Sequence, residues 1–181
     1  KVASTRGDGE YGEDITDNIL KMKNVKQKLD GFSGVIKAEI VMLTEDFQDY
    51  LDVTDDKKPY DNPRNGASGA ARTSNSRNAR FCSLRYYGVE PTGKELAETE
   101  VFEQLKTFGF EDIQTWNIFD IEDLQVCYST CHKVRTELPV EVDGIVICVN
   151  DVDEKKSLGA SNNGRPKYKI ALKFPQQMKE T

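Results

Sequence analysis

The segment from Glu141 to Pro175 constrains the fold most, because it joins two short strand-like stretches through a polar loop. The first stretch, residues 145–149, follows an Asp-Gly turn and is apolar on both faces of a strand, which is typical of a central, covered strand. The second stretch predicts an edge strand, whose lysines lie in water or need an anionic partner. Its faces carry Ile170, Leu172 and Phe174 on one side and Lys169, Ala171 and Lys173 on the other.

The rest of the chain alternates predicted strands with amphipathic helices, which indicates an α+β fold without an internal repeat or a clear domain boundary. Thr44 is expected to cap a helix that has acidic residues in its first turn. Further strands are predicted near residues 1–6, 35–43, 81–87 and 113–118, and helices near residues 13–22, 94–108 and 124–138.

Composition excludes several classes of protein. Hydrophobic residues make up 37% and charged residues 31% of the 181 residues, which is typical of one soluble globular domain. No apolar run approaches the roughly 20 residues of a membrane span, and the first residues lack the apolar region of a secretory signal. The net charge of -6 argues against a general coat for nucleic acid but allows local basic patches. We therefore expect a cytoplasmic protein with no membrane partner.

The four cysteines allow two interpretations. Cys127, Cys131 and the adjacent His132 could ligate a metal, but a zinc site needs about four ligands, and no second ligand pair lies close in sequence. The favoured interpretation is an apolar helical stripe in which free cysteine packs as a small hydrophobe. This interpretation implies a reducing compartment and no disulfide framework. The stripe comprises Leu124, Cys127, Cys131, Val134 and Leu138.

Residues 54–80 are poor in large apolar side chains, and a flexible linker is the default prediction for them. The alternative is a helix that begins near Pro63, since proline suits the first helical position. On such a helix Arg64 and Arg72 would lie about two turns apart on a shared face. Small residues between the two arginines would let a ligand backbone approach, and arginine suits phosphate.

Six short motifs run through nearly the whole chain, and together they resemble the adenylation (nucleotidyltransferase) domain of NAD-dependent DNA ligases. The resemblance implies an ATP-grasp-like nucleotidyltransferase fold with mixed and antiparallel sheets. It also implies NAD and Mg2+ as cofactors and nicked double-stranded DNA as a partner. The motifs are Thr5-Arg6-Gly7-Asp8-Gly9 with Gly12-Glu13-Asp14; Lys37-Ala38-Glu39-Ile40; Asn62-Pro63-Arg64-Asn65 with Gly69 and Arg72; Tyr87-Gly88; Asp143-Gly144-Ile145-Val146-Ile147 with Val149-Asn150; and Ile170-Ala171 with Lys173-Phe174-Pro175.

The resemblance implies contacts to AMP and to the phosphate backbone of DNA. It implies that Arg6 lies beside the nucleotide, that Glu39 accepts hydrogen bonds from the ribose hydroxyls, and that Tyr87 stacks on adenine. Lys173 would neutralise the α-phosphate during adenylyl transfer. The two arginines of the predicted helix would hold phosphates of the nucleotide or of nicked DNA, which positions a duplex without reading its sequence.

The chain departs from the family pattern at three places: the nucleophilic lysine, Cys148, and Lys37-Ala38, which stands where the family has Arg-Gly. The nucleophilic lysine of the family lies in a Lys-x-Asp-Gly motif about 20 residues before the Arg-Gly-Asp-Gly loop, a position that would precede residue 1. Lys28-Leu29-Asp30-Gly31 has the same letters but follows that loop, so we interpret it as part of a connector. The second departure is Cys148, which stands where the resemblance implies a cofactor-binding, phosphate-facing lysine; a neutral thiol cannot offset phosphate charge.

The resemblance places residues 1–175 as the C-terminal two-thirds of the adenylation domain, lacking its N-terminal part, and residues 176–181 as the start of a linker to an absent OB-fold. Three explanations remain open. The chain could be one subunit of a split ligase whose companion polypeptide carries the nucleophile and the OB-fold, as some phages encode. It could be a fragment of a longer enzyme. It could also be a catalytically inactive subunit that binds DNA or assists assembly. The expected setting is a bacterial or phage-infected bacterial cell.

Overall fold

The structure is a computed structural model that describes residues 2–8, 11–54, 60–74, 76–110, 113–161 and 164–175. The chain divides into two compact units, which the sequence pattern did not indicate. Unit 1 comprises Lys1–Lys94 and Phe102–Ile113, and unit 2 comprises Glu95–Val101 and Gln114–Thr181. The expected linker at residues 176–181 lies outside the described residues.

The fold is mixed α+β, as predicted, and the named strands of the described residues form two separate antiparallel pairs. The strands are β1 (Gly34–Met42), β2 (Cys82–Pro91), β3 (Gly144–Cys148) and β4 (Lys169–Lys173). The α-helices are α1 (Thr16–Ile19), α2 (Thr44–Val53), α3 (Pro63–Arg72), α4 (Glu98–Thr107), α5 (Ile121–Val134) and α6 (Val152–Leu158), and a 3-10 helix spans Ser76–Phe81.

In unit 1, β1 and β2 pair antiparallel from Gly34 opposite Pro91 to Met42 opposite Cys82. Their buried face joins α2 and α3 in a core that includes Met42, Phe47, Tyr50, Ala70, Cys82, Leu84 and Tyr86. The prediction of β1 is confirmed. The strand predicted at residues 81–87 continues to Pro91, so the Tyr-Tyr-Gly sequence lies within β2 and not at its end.

The helix alternative for residues 54–80 is confirmed over Pro63–Arg72, and the linker prediction is wrong there. The side chain of Asn62 caps α3 by accepting a hydrogen bond from the backbone N–H of Asn65 at 2.9 Å. Small residues allow close packing, since a Cβ added at Gly66 would lie only 3.0 Å from the Phe47 ring. A lack of large apolar residues favours a linker when composition is considered alone. Here the small residues instead allow the helix to pack closely against its neighbours.

The prediction that Thr44 caps a helix is wrong by one residue. Thr44 is the first residue of α2, and Leu43 occupies the cap position without a side-chain hydrogen bond. Glu45 and Asp46 lie in the first turn as expected, where carboxylates favour the positive end of the helix dipole.

Two further strand predictions differ from the structure. Near the N-terminus only Ser4 makes a strand-type bridge, to Asp14, and the described residues around it form no regular strand. Residues 113–118 are irregular, although Ile113, Trp116 and Ile118 are residue types enriched in strands. Trp116 is exposed in this segment. The segment therefore has residues typical of a strand but pairs with no other strand among the described residues.

In unit 2, β3 and β4 pair from Gly144 opposite Lys173 to Cys148 opposite Lys169. The prediction that β3 is a central, covered strand is wrong, because β4 is its one ladder partner among the described residues and Val146 is 69% exposed. Ile170 and Leu172 on β4 are exposed as well. The edge-strand prediction for β4 agrees with this exposure.

The predicted cysteine helix is α5, which ends at Val134 and therefore excludes Leu138 from the stripe. Cys127 is buried, as expected for an apolar stripe. His132 packs against Phe174, with ring centroids 5.3 Å apart. Among the residues that the structure describes, no group of three His, Cys, Asp or Glu side chains is close enough to hold a metal ion.

The described helices include none that is both long enough and apolar enough to cross a membrane.

The end of α3 is fixed by Asn18, a buried residue of α1. Its side-chain amide donates hydrogen bonds to the carbonyls of Ala71, at 2.7 Å, and Thr73, at 3.0 Å. These carbonyls belong to the last turn of α3 and the residues after it, where the helix provides no amide partners.

Replacement of Asn18 by alanine is expected to destabilise unit 1 by about 2 kcal/mol, because it leaves the carbonyl partners of a buried amide unsatisfied. Urea denaturation followed by circular dichroism measures this change. Gln48→Ala is the matched control: it removes an exposed amide side chain from α2 and should change stability by less than about 0.5 kcal/mol. Equal effects of the two substitutions would contradict the role of Asn18.

Candidate functional site

The outer face of the β1–β2 pair carries polar side chains. Glu39 is exposed on this face and lies opposite Arg85 on β2. Lys37, two residues earlier on the same face, forms an ion pair with Glu90. The strand period separates these residues from the apolar face that packs on the helices. The face therefore offers a carboxylate next to basic side chains, which suits a polar ligand.

Tyr87 lies exposed on this face, next to a β-bulge. The ladder register shifts between Lys37 and Ala38, so that Lys37 faces Gly88 and Ala38 faces Tyr86, which leaves Tyr87 as the extra residue. Tyr86 is buried and Tyr87 is 43% exposed. A bulge inserts one residue and re-aims the side chains that follow it. Alternation along β2 places Arg85 and Tyr87 on this outer face, and the bulge then turns Gly88 to the same face, opposite Lys37.

Gly88 completes this local geometry. A Cβ added at Gly88 would lie 3.0 Å from the Cβ of Lys37, which is tighter than an ordinary side-chain contact. The Tyr-Gly pair thus combines an exposed ring with a residue that permits close approach of the two strands.

Arg6 is exposed on a short loop closed by the bridge between Ser4 and Asp14. The backbone N–H of Thr5 donates to the carbonyl of Glu13 at 2.9 Å, and that of Glu13 donates to the Thr5 hydroxyl at 3.0 Å. Gly12 permits this closure, because a Cβ added there would lie 2.0 Å from the Thr5 carbonyl oxygen. Hydrogen bonds from Thr16 lower the pKa of Asp14 at the base of the loop.

One face of α3 lines a shallow, open groove. Arg72 contributes to this groove and also approaches the loop that carries Arg6, since its Nε lies 3.6 Å from a carboxylate oxygen of Glu13. Arg64 is exposed two turns earlier and does not belong to the groove lining. The lining residues are Tyr60, Asn65, Ser68, Gly69, Arg72 and Thr73.

Unit 1 thus forms two local groups from the residues predicted by sequence. Glu39 and Tyr87 share the outer face of the β1–β2 pair, and Arg72 lies beside the glycine loop of Arg6. These groups have the donors, acceptors and aromatic surface expected at a nucleotide or phosphate site.

In unit 2, Lys173 is well exposed at the end of β4, and its Nζ lies 3.3 Å from a carboxylate oxygen of Asp143. Both side chains are mostly in solvent, so this ion pair contributes little stability and leaves the ammonium accessible. Gly144 lies opposite Lys173, and a Cβ added at Gly144 would lie 2.5 Å from the Leu172 carbonyl oxygen. The Asp-Gly sequence therefore permits close pairing beside Lys173.

Cys148 is half-buried near Glu98, and burial, followed by the hydrogen bond and charge of Glu98, raises the pKa of its thiol to about 11. The thiol is therefore neutral at physiological pH. The carboxylate of Glu98 receives hydrogen bonds from Lys155 at 2.9 Å and from Lys169 at 3.0 Å. Burial opposes ionisation of Glu98, but these hydrogen bonds outweigh it and lower its pKa.

Sequence reasoning missed the cluster of Glu98, Lys155 and Lys169. The sequence did indicate that a lysine on β4 needs an anionic partner, and Lys169 has one. No local signal pointed to Glu98, which lies in the first turn of α4 and far from both lysines in sequence.

Asn150, which ends the motif Val149-Asn150, has a structural role. The side-chain oxygen of Asn150 accepts a hydrogen bond from the backbone N–H of Thr99 at 3.0 Å, in the first turn of α4. First-turn amides of a helix lack intrahelical partners, so Asn150 stabilises this end of the helix.

Lys28 lies exposed in the irregular segment between α1 and β1. Two residues earlier, the ammonium of Lys26 lies over the Phe110 ring and donates a hydrogen bond to the carbonyl of Phe108. The segment therefore behaves as a connector attached to the core through Lys26.

Comparison with known proteins agrees with the motif pattern. A family model described as the NAD-dependent DNA ligase adenylation domain matches residues 1–177. A DNA ligase of Ehrlichia canis is 35% identical over 180 residues, covering 96% of this chain and 26% of the relative. A DNA ligase of Rhodospirillum rubrum is 35% identical over 191 residues, covering 99% of this chain and 27% of the relative. A DNA ligase of Anaplasma marginale is 32% identical over 176 residues, covering 95% of this chain and 25% of the relative.

The chain spans about a quarter of the length of these curated relatives. The match of the family model extends over almost the whole chain, and it contains both the exposed Tyr87 face and the lysine-bearing β4 strand. This chain belongs to the family of NAD-dependent DNA ligase adenylation domains.

Proposed function

We propose that this chain is the part of an NAD-dependent DNA ligase that contacts AMP and DNA phosphates while nicks are sealed. Sealing would proceed through adenylylated enzyme and adenylylated DNA, and the fold would be that of a nucleotidyltransferase related to ATP-grasp enzymes. The observation that carries the proposal is the exposure of Tyr87 on the sheet face that also presents Glu39. This geometry provides an aromatic platform and a carboxylate, as a nucleoside requires.

Within unit 1, Tyr87 would stack on adenine and Glu39 would accept hydrogen bonds from the ribose hydroxyls. Arg6 would contact the nucleotide from the glycine loop. All three side chains are exposed, so a ligand can reach them without unfolding the core. The buried Tyr86, one residue before Tyr87, keeps this part of the strand attached to the hydrophobic core.

Within unit 2, Lys173 would offset the charge of the α-phosphate as adenylyl transfer proceeds. The Nζ of Lys173 lies 3.3 Å from a carboxylate oxygen of Asp143, and both side chains are mostly in solvent. This ion pair is therefore weak enough to be exchanged for a phosphate. Placing a cation where negative charge develops lowers the barrier to such a transfer.

NAD would supply the AMP group, and the lysine that receives it would come from polypeptide outside residues 1–181, either a companion chain that also carries the OB-fold or another part of the same protein. Mg2+ would balance phosphate charge. Activity on DNA would place the protein in the cytoplasm of a bacterial or phage-infected cell.

The alternative function is a ligase-like subunit that binds DNA or assists assembly without catalysis. The neutral thiol at Cys148 favours this alternative, because it removes one ammonium that the resemblance implies. Nucleotide binding and nick sealing distinguish the two functions.

Nick sealing tests the proposal directly. The chain, NAD, Mg2+ and a nicked duplex should give sealed product only when the polypeptide carrying the Lys-x-Asp-Gly lysine is added. Mass spectrometry should then find AMP on that added lysine. An AMP adduct on Lys28 would contradict the connector interpretation, and absence of sealing in every combination would favour the binding subunit.

Tyr87→Ala is expected to weaken AMP binding about tenfold, because base–aromatic stacking contributes about 1–3 kcal/mol. Isothermal titration calorimetry measures the affinity. Phe119→Ala, which removes a highly exposed aromatic ring from unit 2, serves as the control and should leave the affinity unchanged. Equal AMP affinity in the Tyr87 variant and the original chain would remove the main support for the proposed nucleoside contact.

Arg72→Ala is expected to weaken binding to nicked duplexes of any sequence and to reduce the slope of log affinity against log salt by about 1, because one phosphate contact is lost. Arg64→Ala should act in the same way. Fluorescence anisotropy at several salt concentrations measures both effects. Lys133→Ala removes an exposed positive charge from α5 and should preserve the slope; a slope change equal to that of the arginine variants would indicate a general charge effect.

A further inference from the structure

A half-buried charge cluster in unit 2 carries one positive charge in excess. Glu98 accepts hydrogen bonds from two ammonium groups through the same carboxylate oxygen, Oε1. The side chains are 16% exposed for Glu98, 12% for Lys155 and 35% for Lys169. One carboxylate balances only one ammonium, so the cluster attracts a further anion. Because the side chains are mostly buried, the effective dielectric constant is low, and this attraction is stronger than between the same charges in water.

The two lysines of the cluster differ in their surroundings. Lys155 is the more buried, and it also donates a hydrogen bond to the carbonyl of Leu96 at 3.3 Å. It therefore joins α6 to the chain just before α4. Lys169 makes its ion pair from the surface of β4 and keeps about a third of its side chain in solvent. A ligand can approach Lys169 more readily than Lys155.

Ladder register places Lys169 directly opposite Cys148. The pairs Gly144–Lys173, Val146–Ala171 and Cys148–Lys169 share one face of the β3–β4 pair, since side chains two residues apart point the same way. Lys169 and Lys173 thus stand at the two ends of one face. Between them, Val146 and Ala171 are exposed and leave this surface uncovered by the described residues.

Resting on the proposed function, we propose that Lys169 is a phosphate-binding residue of the β3–β4 face and supplies, from the opposite strand, the positive charge that Cys148 does not carry. Lys169 and Lys173 then contact the phosphate of AMP from the two ends of the same face. Glu98 orients Lys169, while Lys155 offsets the charge of Glu98, so that the ammonium of Lys169 remains attractive to an anion.

The cluster also explains why a neutral residue occupies position 148. A lysine there would add a third ammonium beside the single carboxylate of Glu98 and raise the excess charge of the cluster to two. The small Cys148 side chain stays close to its own strand, with its Sγ 3.3 Å from the carbonyl oxygen of Val149.

Calorimetric titration of the full chain with AMP and with adenosine tests the proposal. Lys169→Met should weaken AMP binding about tenfold and leave adenosine binding unchanged, because adenosine lacks the phosphate. Lys156→Met is the matched control: it removes an exposed lysine of α6 that pairs with Glu95 outside the cluster, and it should leave the affinities for AMP and adenosine unchanged.

An exchange variant, Cys148→Lys with Lys169→Cys, returns the ammonium to the first strand and keeps the composition unchanged. It should bind AMP within about threefold of the original chain. Lys169→Gln provides a second neutral variant if the methionine variant is poorly folded, which its melting temperature reveals. Cys148→Lys alone should not strengthen AMP binding tenfold, because the charge is already present.

Three outcomes would overturn the inference. Lys169→Met and Lys169→Gln could leave AMP binding unchanged, or they could weaken AMP and adenosine binding equally, as loss of a purely structural residue would. The exchange variant could also bind AMP as weakly as the single variants. Failure of the original chain to bind either AMP or adenosine has a different meaning, since it would reject the proposed function and this inference together.

Discussion

The pairing register of the two antiparallel strand pairs determines which side chains share a face and can therefore contact the same ligand. A shift of one residue moves every side chain of a strand to the other face, so register determines function as much as residue type does. In unit 1, alternation along β2 places Tyr87 on the face of Glu39, and the bulge at Tyr87 brings Gly88 opposite Lys37. In unit 2, register brings Cys148, Lys169 and Lys173 onto one face.

Close backbone approach is the second condition for these sites. Gly12 closes the loop of Arg6, Gly88 fits against Lys37, and Gly144 fits against Leu172. In each case a Cβ would meet another part of the chain at or below the normal contact distance. Several motif glycines therefore have a steric reason, independent of any ligand. The motif asparagine Asn150 is likewise explained by a helix end that it stabilises.

Much of the fold was predictable from local pattern. The alternation of β1 predicted its polar and apolar faces, and Pro63 after Asn62 allowed the start of α3 to be recognised despite a composition typical of linkers. Predictions failed where the outcome depended on a distant partner. Residues 113–118 have the pattern of a strand but no ladder partner among the described residues, and the apolar residues of β3 do not receive the expected cover there.

The amino-acid sequence by itself determined the order of the motifs, the family, the alternation of the strands and the residue types available at the candidate site. These features depend on residue type and short-range spacing, which the sequence contains directly. Only the tertiary structure decided that Tyr87 is exposed while Tyr86 is buried, and that Glu98 holds Lys169 opposite Cys148. Such contacts join residues far apart in the chain, and they arise from strand register and packing, which no local pattern specifies.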